Sequence, residues 1–206
     1  LSIGISDRFL STTIIPASAL GKDGAVAPSE RITFASIGLG TQGCGNTGVF
    51  VSDKRLQLVG LCDVNATEGR QYYGYGNNDQ RGLQVARKNF GMDIPCYNDF
   101  REVVARKDID FIMSATPDHW HAIIALACVA AGKDVYGEKP LTRTIREGKI
   151  LRDAVEASGI IWQTGSWQRS IPTFVRAAEI VRNGYLGRIS KIVIGLPSNF
   201  RSEILK

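Results

Sequence analysis

Two rhythms of apolar positions alternate along the chain from Arg31 onward. Short runs of continuous or β-branched apolar residues predict strands at Ile32–Ile37, Leu56–Cys62, Asp110–Ala115, Asp134–Gly137 and Ile160–Thr164, with a short edge strand at Pro95–Tyr97. Between them lie stretches with helical spacing. Gln42–Val51 follows the first strand, and Ala66–Gly91 follows the second, broken at Tyr72–Asn78 by a Gly/Asn-rich loop. Asp99 caps a helix to about Ala105. Asp118 opens a helix whose Ile123, Ile124, Leu126, Ala127 and Ala130 form a wide apolar face, ended by Gly132. Thr144 with Glu147 three residues on is a capping box for a helix to Ala157, terminated by Gly159. Ile171–Arg182 is helical up to Asn183-Gly184, and Arg188–Ile194 alternates as a seventh strand. Strand and helix in strict turn predict an α/β fold, a doubly wound parallel sheet with crossover helices.

Composition changes this picture little. A chain of 206 residues, 44% hydrophobic and 22% charged, is long enough for one good core with a small appendage. The net charge of +5 suits an anionic ligand, but the basic residues are scattered, which argues against nucleic acid as a partner. No apolar run reaches the ~18–20 residues that span a bilayer. Cys44, Cys62, Cys96 and Cys128 have no C-x-x-C spacing, so buried free thiols are expected rather than a metal site or disulfides. The first 29 residues differ from the rest. Arg8 to Ala19 has a basic residue, a short apolar stretch and an Ala-x-Ala ending, like the tail of an export signal. That reading places the protein in the periplasm or outside the cell; read as a docking arm, the same segment leaves it in the cytoplasm. Gly21–Ser29 reads as a linker.

The most informative stretch is the end of the first strand. Gly38-Leu-Gly40-Thr41-Gln42-Gly43 is G-x-G-x-x-G directly after an apolar run, and the second strand ends in Asp63, 20 residues after Gly43. This order is a dinucleotide-binding fingerprint. Gly38 permits the sharp turn, Gly40 lets a pyrophosphate approach the backbone, and Gly43 lets the helix pack on the strand. Thr41 and Gln42 fill the phosphate-facing turn, and the helix N-terminus aims N–H groups at the anion. Asp63 would accept hydrogen bonds from the adenosine ribose and repel a 2′-phosphate. With no arginine beside it in Val64-Asn65, NAD is favoured over NADP. The plainer readings are a glycine-rich turn that binds nothing and an aspartate that caps the following helix.

Two further strand ends carry polar residues: Thr116-Pro-Asp-His-Trp-His121 and Gly137-Glu-Lys-Pro-Leu-Thr142. His119 and His121 are the chain's two histidines; at i, i+2 on a helix start they face different ways, so no shared metal is expected. Packing explains either histidine as well as function does. Lys139 is held extended by Pro140 and would act on a hydroxyl if desolvated in a cleft. A surface ion pair is the alternative.

Taken in order, these motifs resemble the glucose–fructose oxidoreductase / inositol dehydrogenase (Gfo/Idh/MocA) family. The matching segments are Gly38-x-Gly40-x-x-Gly43, Cys62-Asp63, Ala115–His121, Gly132-Lys-Asp-Val-Tyr and Gly137-Glu-Lys-Pro140, with Gln163–Ser170 and Arg182-Asn-Gly-x-x-Gly187. The resemblance implies an NAD-dependent oxidoreductase of a sugar or cyclic polyol, with a Rossmann domain and a second α/β domain. It makes Lys139 the catalytic residue at the reacting hydroxyl, with a cis bond before Pro140. It places Thr116, Pro117 and His121 along the cofactor cleft, and Glu138 and Arg169 near the nicotinamide. The expected organisation is residues 1–29 as arm and linker, 30–169 as the NAD-binding domain, and 170–206 as only the beginning of the substrate domain. The Asp and His motif that completes the family's site is not within these 206 residues. A homo-oligomer would use the second domain's sheet. Two other functions remain open at this point: a nucleotide-binding regulatory module without catalysis, and an NAD-retaining glycosidase or epimerase using transient oxidation.

Overall fold

The computed structural model describes residues 21, 26–64, 83–91 and 93–195. The proposed export segment, the Tyr72–Asn78 loop and the region directly after Val64 lie outside these. The chain divides between Gly165 and Ser166 into two compact units.

In the first unit six parallel strands form one sheet: β1 (Ile32–Ile37), β2 (Leu56–Cys62), β3 (Cys96–Tyr97), β4 (Phe111–Ser114), β5 (Asp134–Glu138) and β6 (Trp162–Gly165). Their order is β3-β2-β1-β4-β5-β6. The helices are α1 (Thr41–Val51), α2 (Leu83–Phe90), α3 (Phe100–Val104), α4 (Asp118–Ala130) and α5 (Ile145–Ser158). The chain leaves β1 in one direction to build β2 and β3, then returns to build β4 outward on the other side. The loops after β1 and β4 therefore part, and a crevice opens at that switch point.

Continuous apolar runs become buried strands because both faces of a parallel sheet are covered. Ala35, Ile37, Ile112 and Val135 from the strands pack with Val103, Ile124 and Cys128 from the helices. On the α1 side, Phe34 stacks on Phe111 at 5.1 Å, and Phe50 meets both rings edge-on at 5.7 Å. Two buried hydroxyls tie α1 to β1. Thr47 donates its one proton to the Gly43 carbonyl at 2.7 Å, so the 2.8 Å contact with Ser36 must use the Ser36 proton.

The helix punctuation follows the sequence. Asp99 accepts from Arg101 N–H at the start of α3. Thr144 and Glu147 form both halves of the capping box, and Gly159 ends α5 at φ 73°. Lys133 is buried, and its ammonium donates to the Ile109 carbonyl at 2.6 Å, joining the α4–β5 turn to the approach to β4.

The second unit contains a 3-10 turn at Trp167–Ser170 and α6 (Pro172–Arg182). The seventh strand expected at Arg188–Ile194 does not form. Alternating apolar residues make a strand only when another segment completes the hydrogen-bond ladder, and no described residue pairs with this one. Ile192, Val193 and Ile194 are each more than three-quarters exposed. No helix among the described residues is long and apolar enough to cross a membrane.

All four cysteines are free. Burial, with a smaller contribution from the Asp63 charge, pushes the Cys62 thiol up to about 12; burial alone raises Cys128 to about 12. At pH 8 both stay protonated, and the thiolate is the reactive form. Cys62 and Cys128 should therefore resist alkylation in the folded chain at pH 8 and react fully in urea, as read by mass spectrometry. Rapid modification of either in the folded state would contradict their burial.

Candidate active site

The turn after β1 is built by close backbone approach. A Cβ on Gly38 would lie 2.6 Å from the Ala115 carbonyl oxygen, and Gly38 holds φ at 85°. A Cβ on Gly43 would lie 1.8 Å from the Gly38 carbonyl oxygen. Neither position has room for a side chain. Gly40 differs: among the described residues its Cβ would meet nothing within 4 Å, and its own backbone is extended, with φ at −69°. The protein's own packing thus explains Gly38 and Gly43 and leaves the space above Gly40 open. Gly40 is the N-cap of α1 and offers no side-chain cap, so the amides of the first turn face that open space unserved by a cap. Thr41 and Gln42 form this exposed first turn.

Asp63 directly follows β2 and is 96% buried. Its Oδ2 accepts from the Leu39 N–H at 2.7 Å, which locks the carboxylate beside the glycine turn. The backbone of Asp63 is fixed from the other side, its N–H donating to the Tyr97 carbonyl and its carbonyl accepting from Asn98 Nδ2. From Asp63 a cleft of about 110 Å³ runs between the ends of β1 and β4, floored by Gly38 and Thr116 and walled by Phe100, Pro117 and Trp120. The two aromatic rings meet edge-on, with centroids 6.1 Å apart. Thr116 Oγ1 is buried and has no hydrogen-bond partner among the described residues. An apolar wall, a carboxylate at one end and an unpaired hydroxyl suit a flat heterocycle joined to a polyhydroxyl group. Cys44 and Cys62 beside Asp63 are both raised by burial and by its charge, so neither acts as a thiolate there.

The turn after β5 carries the second group of residues. The Lys139–Pro140 bond is cis. Glu138 is buried and accepts at both carboxylate oxygens: from Asn46 Nδ2 at 2.8 Å and from the Lys139 N–H at 3.1 Å. Room for that carboxylate exists because β6 ends in glycine; a Cβ on Gly165 would stand 2.9 Å from Glu138 Oε1. His121 is buried in α4, with one ring nitrogen 2.7 Å from the Thr116 carbonyl oxygen and the other against that of Pro140. It pins the β4 loop to the Pro140 turn, and both its nitrogens are occupied by protein carbonyls. His119 is exposed on the same helix. Lys139 itself is exposed, so the described residues do not desolvate its amine.

The structure thus brings Gly38, Gly40, Thr41, Gln42, Gly43, Asp63, Thr116 and Pro117 to the rim of one crevice, with Glu138 and Lys139 on the adjoining turn and His121 packed against it from α4. Arg169 belongs to the second unit, where it is exposed in the 3-10 turn. The aromatic pair and Asn46 were not among the residues expected from the sequence. Phe100 and Trp120 look like ordinary helix residues there, and nothing local in the sequence joins Asn46 to a strand end 92 positions away.

Residues 32–166 match the family model for the oxidoreductase family with an NAD-binding Rossmann fold (GFO_IDH_MocA), and the chain belongs to that family. A levoglucosan dehydrogenase of Pseudarthrobacter phenanthrenivorans is 36% identical over 112 residues, covering 54% of this chain and 28% of the relative. Inositol 2-dehydrogenase 1 of Saccharopolyspora erythraea is 30% identical over 70% of this chain and 42% of its own length. A glycosyl hydrolase family 109 protein of a Shewanella species is 28% identical over 71% of this chain and 31% of its own. The solved myo-inositol 2-dehydrogenase of Lactobacillus plantarum shares the fold, with TM-score 0.63 at 24% identity over 77% of this chain and 43% of that one. This chain spans less than half the length of these relatives. The family's Rossmann fold is NAD-binding, and the open space over Gly40, the placement of Asp63 and the Thr116 hydroxyl, unpaired among the described residues, fit NAD.

The three glycines should separate by experiment. Gly43→Ala must displace backbone and should cost more than about 2 kcal/mol in urea unfolding. Gly40→Ala should fold within about 1 kcal/mol of the parent chain, yet weaken NADH binding at least about tenfold, or ~1.4 kcal/mol. Undiminished NADH binding by a folded Gly40→Ala chain would contradict the cradle.

Proposed function

We propose that this chain is the cofactor-binding part of an NAD-dependent dehydrogenase that oxidises a secondary hydroxyl of a sugar or cyclic polyol. The observation that carries the reading is Gly40: a glycine that neither its conformation nor any described neighbour requires, placed at an uncapped helix start beside a locked carboxylate. The dehydrogenases of levoglucosan and inositol among the relatives support the substrate class.

In this reading the loop amides of Gly40, Thr41 and Gln42 hold the pyrophosphate. Asp63 accepts from the adenosine ribose hydroxyls, and Phe100 and Trp120 receive the adenine. Thr116, Pro117 and His121 line the cofactor cleft, while Glu138 serves the nicotinamide end. Bound NAD supplies the hydride acceptor. Lys139 contacts the substrate hydroxyl and takes its proton as the carbonyl forms, which requires the neutral amine. A second reading, oxidation followed by re-reduction within one glycosidase cycle, has the family 109 relative in its support. It predicts product without net NADH.

Titration of the chain with NADH and NADPH, followed by nicotinamide fluorescence, tests the cofactor half. NADH should bind saturably and at least about tenfold more tightly than NADPH, because Asp63 repels a 2′-phosphate. Asp63→Ala should erase that preference. Equal affinity for both in the parent chain would contradict the role of Asp63, and no binding by folded chain would contradict the proposal as a whole.

A further inference from the structure

Four groups form one hydrogen-bonded chain between the two motifs. Gln42 Nε2 donates to Asn46 Oδ1 at 2.9 Å, Asn46 Nδ2 donates to Glu138 Oε1 at 2.8 Å, and the Lys139 N–H donates to Glu138 Oε2 at 3.1 Å. Gln42 stands in the first turn of α1, at the cradle. Lys139 stands on the turn after β5. Asn46 is one helical turn beyond Gln42, on the same face, so its amide can span the gap.

The direction of the chain is set from the Glu138 end. The carboxylate accepts at both oxygens, so Asn46 must present its NH₂ and turn its carbonyl oxygen to Gln42. Gln42 must then present its own NH₂ to Asn46. No member can flip without breaking a bond, and Glu138 is buried, where a lost partner is costly. A ligand that orders the first turn of α1 therefore orders Gln42, and through Asn46 it holds the carboxylate that fixes the Lys139 backbone.

We propose that Asn46 is a positioning residue that couples occupation of the phosphate cradle to the geometry of the Lys139 turn. The proposal rests on the cofactor and Lys139 roles above. It gives the α1 first turn a task beyond binding phosphate: the lysine turn is firmest when the cofactor is seated.

ADP is the probe, because it carries the adenosine and pyrophosphate but no nicotinamide to shield Lys139 directly. Hydrogen exchange at the Lys139 amide is read by NMR with and without ADP. ADP should slow that exchange about fivefold or more in the parent chain, the lower range of a site-to-site coupling. Asn46→Leu should abolish the slowing. Asn46→Asp should abolish it too, since two carboxylates then face each other. The double variant Asn46→Asp/Glu138→Gln exchanges acid and amide, keeps every donor paired with an acceptor, and should restore the slowing. If ADP binds the parent chain and leaves Lys139 exchange unchanged, or if the folded double variant fails to restore it, the coupling is overturned while the cofactor reading stands. If neither ADP nor NADH binds the folded chain, both fall together.

Discussion

Everything in this molecule depends on three backbones meeting without side chains between them. The Gly38 carbonyl lies where a Gly43 Cβ would be, and Gly38 itself stands against the Ala115 carbonyl. That contact joins the end of β1, the start of α1 and the end of β4. It lets α1 begin directly over the switch point, so the helix start, the Asp63 carboxylate and the Thr116 hydroxyl share one crevice. The buried Ser36–Thr47–Gly43 hydrogen bonds hold α1 down on the sheet one turn later. A bulkier first turn would lift the helix and scatter the site.

The same crossing sets the reach of α1 toward β5. Because the helix lies flat on β1 and β4, Asn46 comes within hydrogen-bonding distance of Glu138. On the other face of the sheet, His121 ties the β4 loop to Pro140. The turn that carries Lys139 is thus braced from two sides, by an amide from α1 and an imidazole from α4. The lysine side chain is left exposed, where a substrate hydroxyl could approach it.

Much of this was legible in the residue order. Continuous apolar runs located β1, β2 and β4, because a parallel sheet buries both faces and leaves no alternation to misread. Thr144, Glu147 and Gly159 marked the ends of α5 by local hydrogen bonding and a left-handed glycine, which act within a few residues. The glycine fingerprint was legible because each glycine answers to a local steric demand. Contacts between distant segments were not. Asn46 with Glu138, Phe100 with Trp120, and Lys133 with the Ile109 carbonyl are tertiary pairings with no local pattern. Arg188–Ile194 misled in the opposite way. Its alternation records a preference for a strand, and a strand also needs a neighbour to bond with.

The central claim is that the uncapped start of α1 and the Asp63 carboxylate together receive one dinucleotide. The most direct measurement is a crystal structure of the chain with NADH. The account predicts the pyrophosphate on the amides over Gly40 and both adenosine ribose hydroxyls within hydrogen-bond distance of Asp63. A dinucleotide bound elsewhere on the chain, or with its ribose turned away from Asp63, would contradict it.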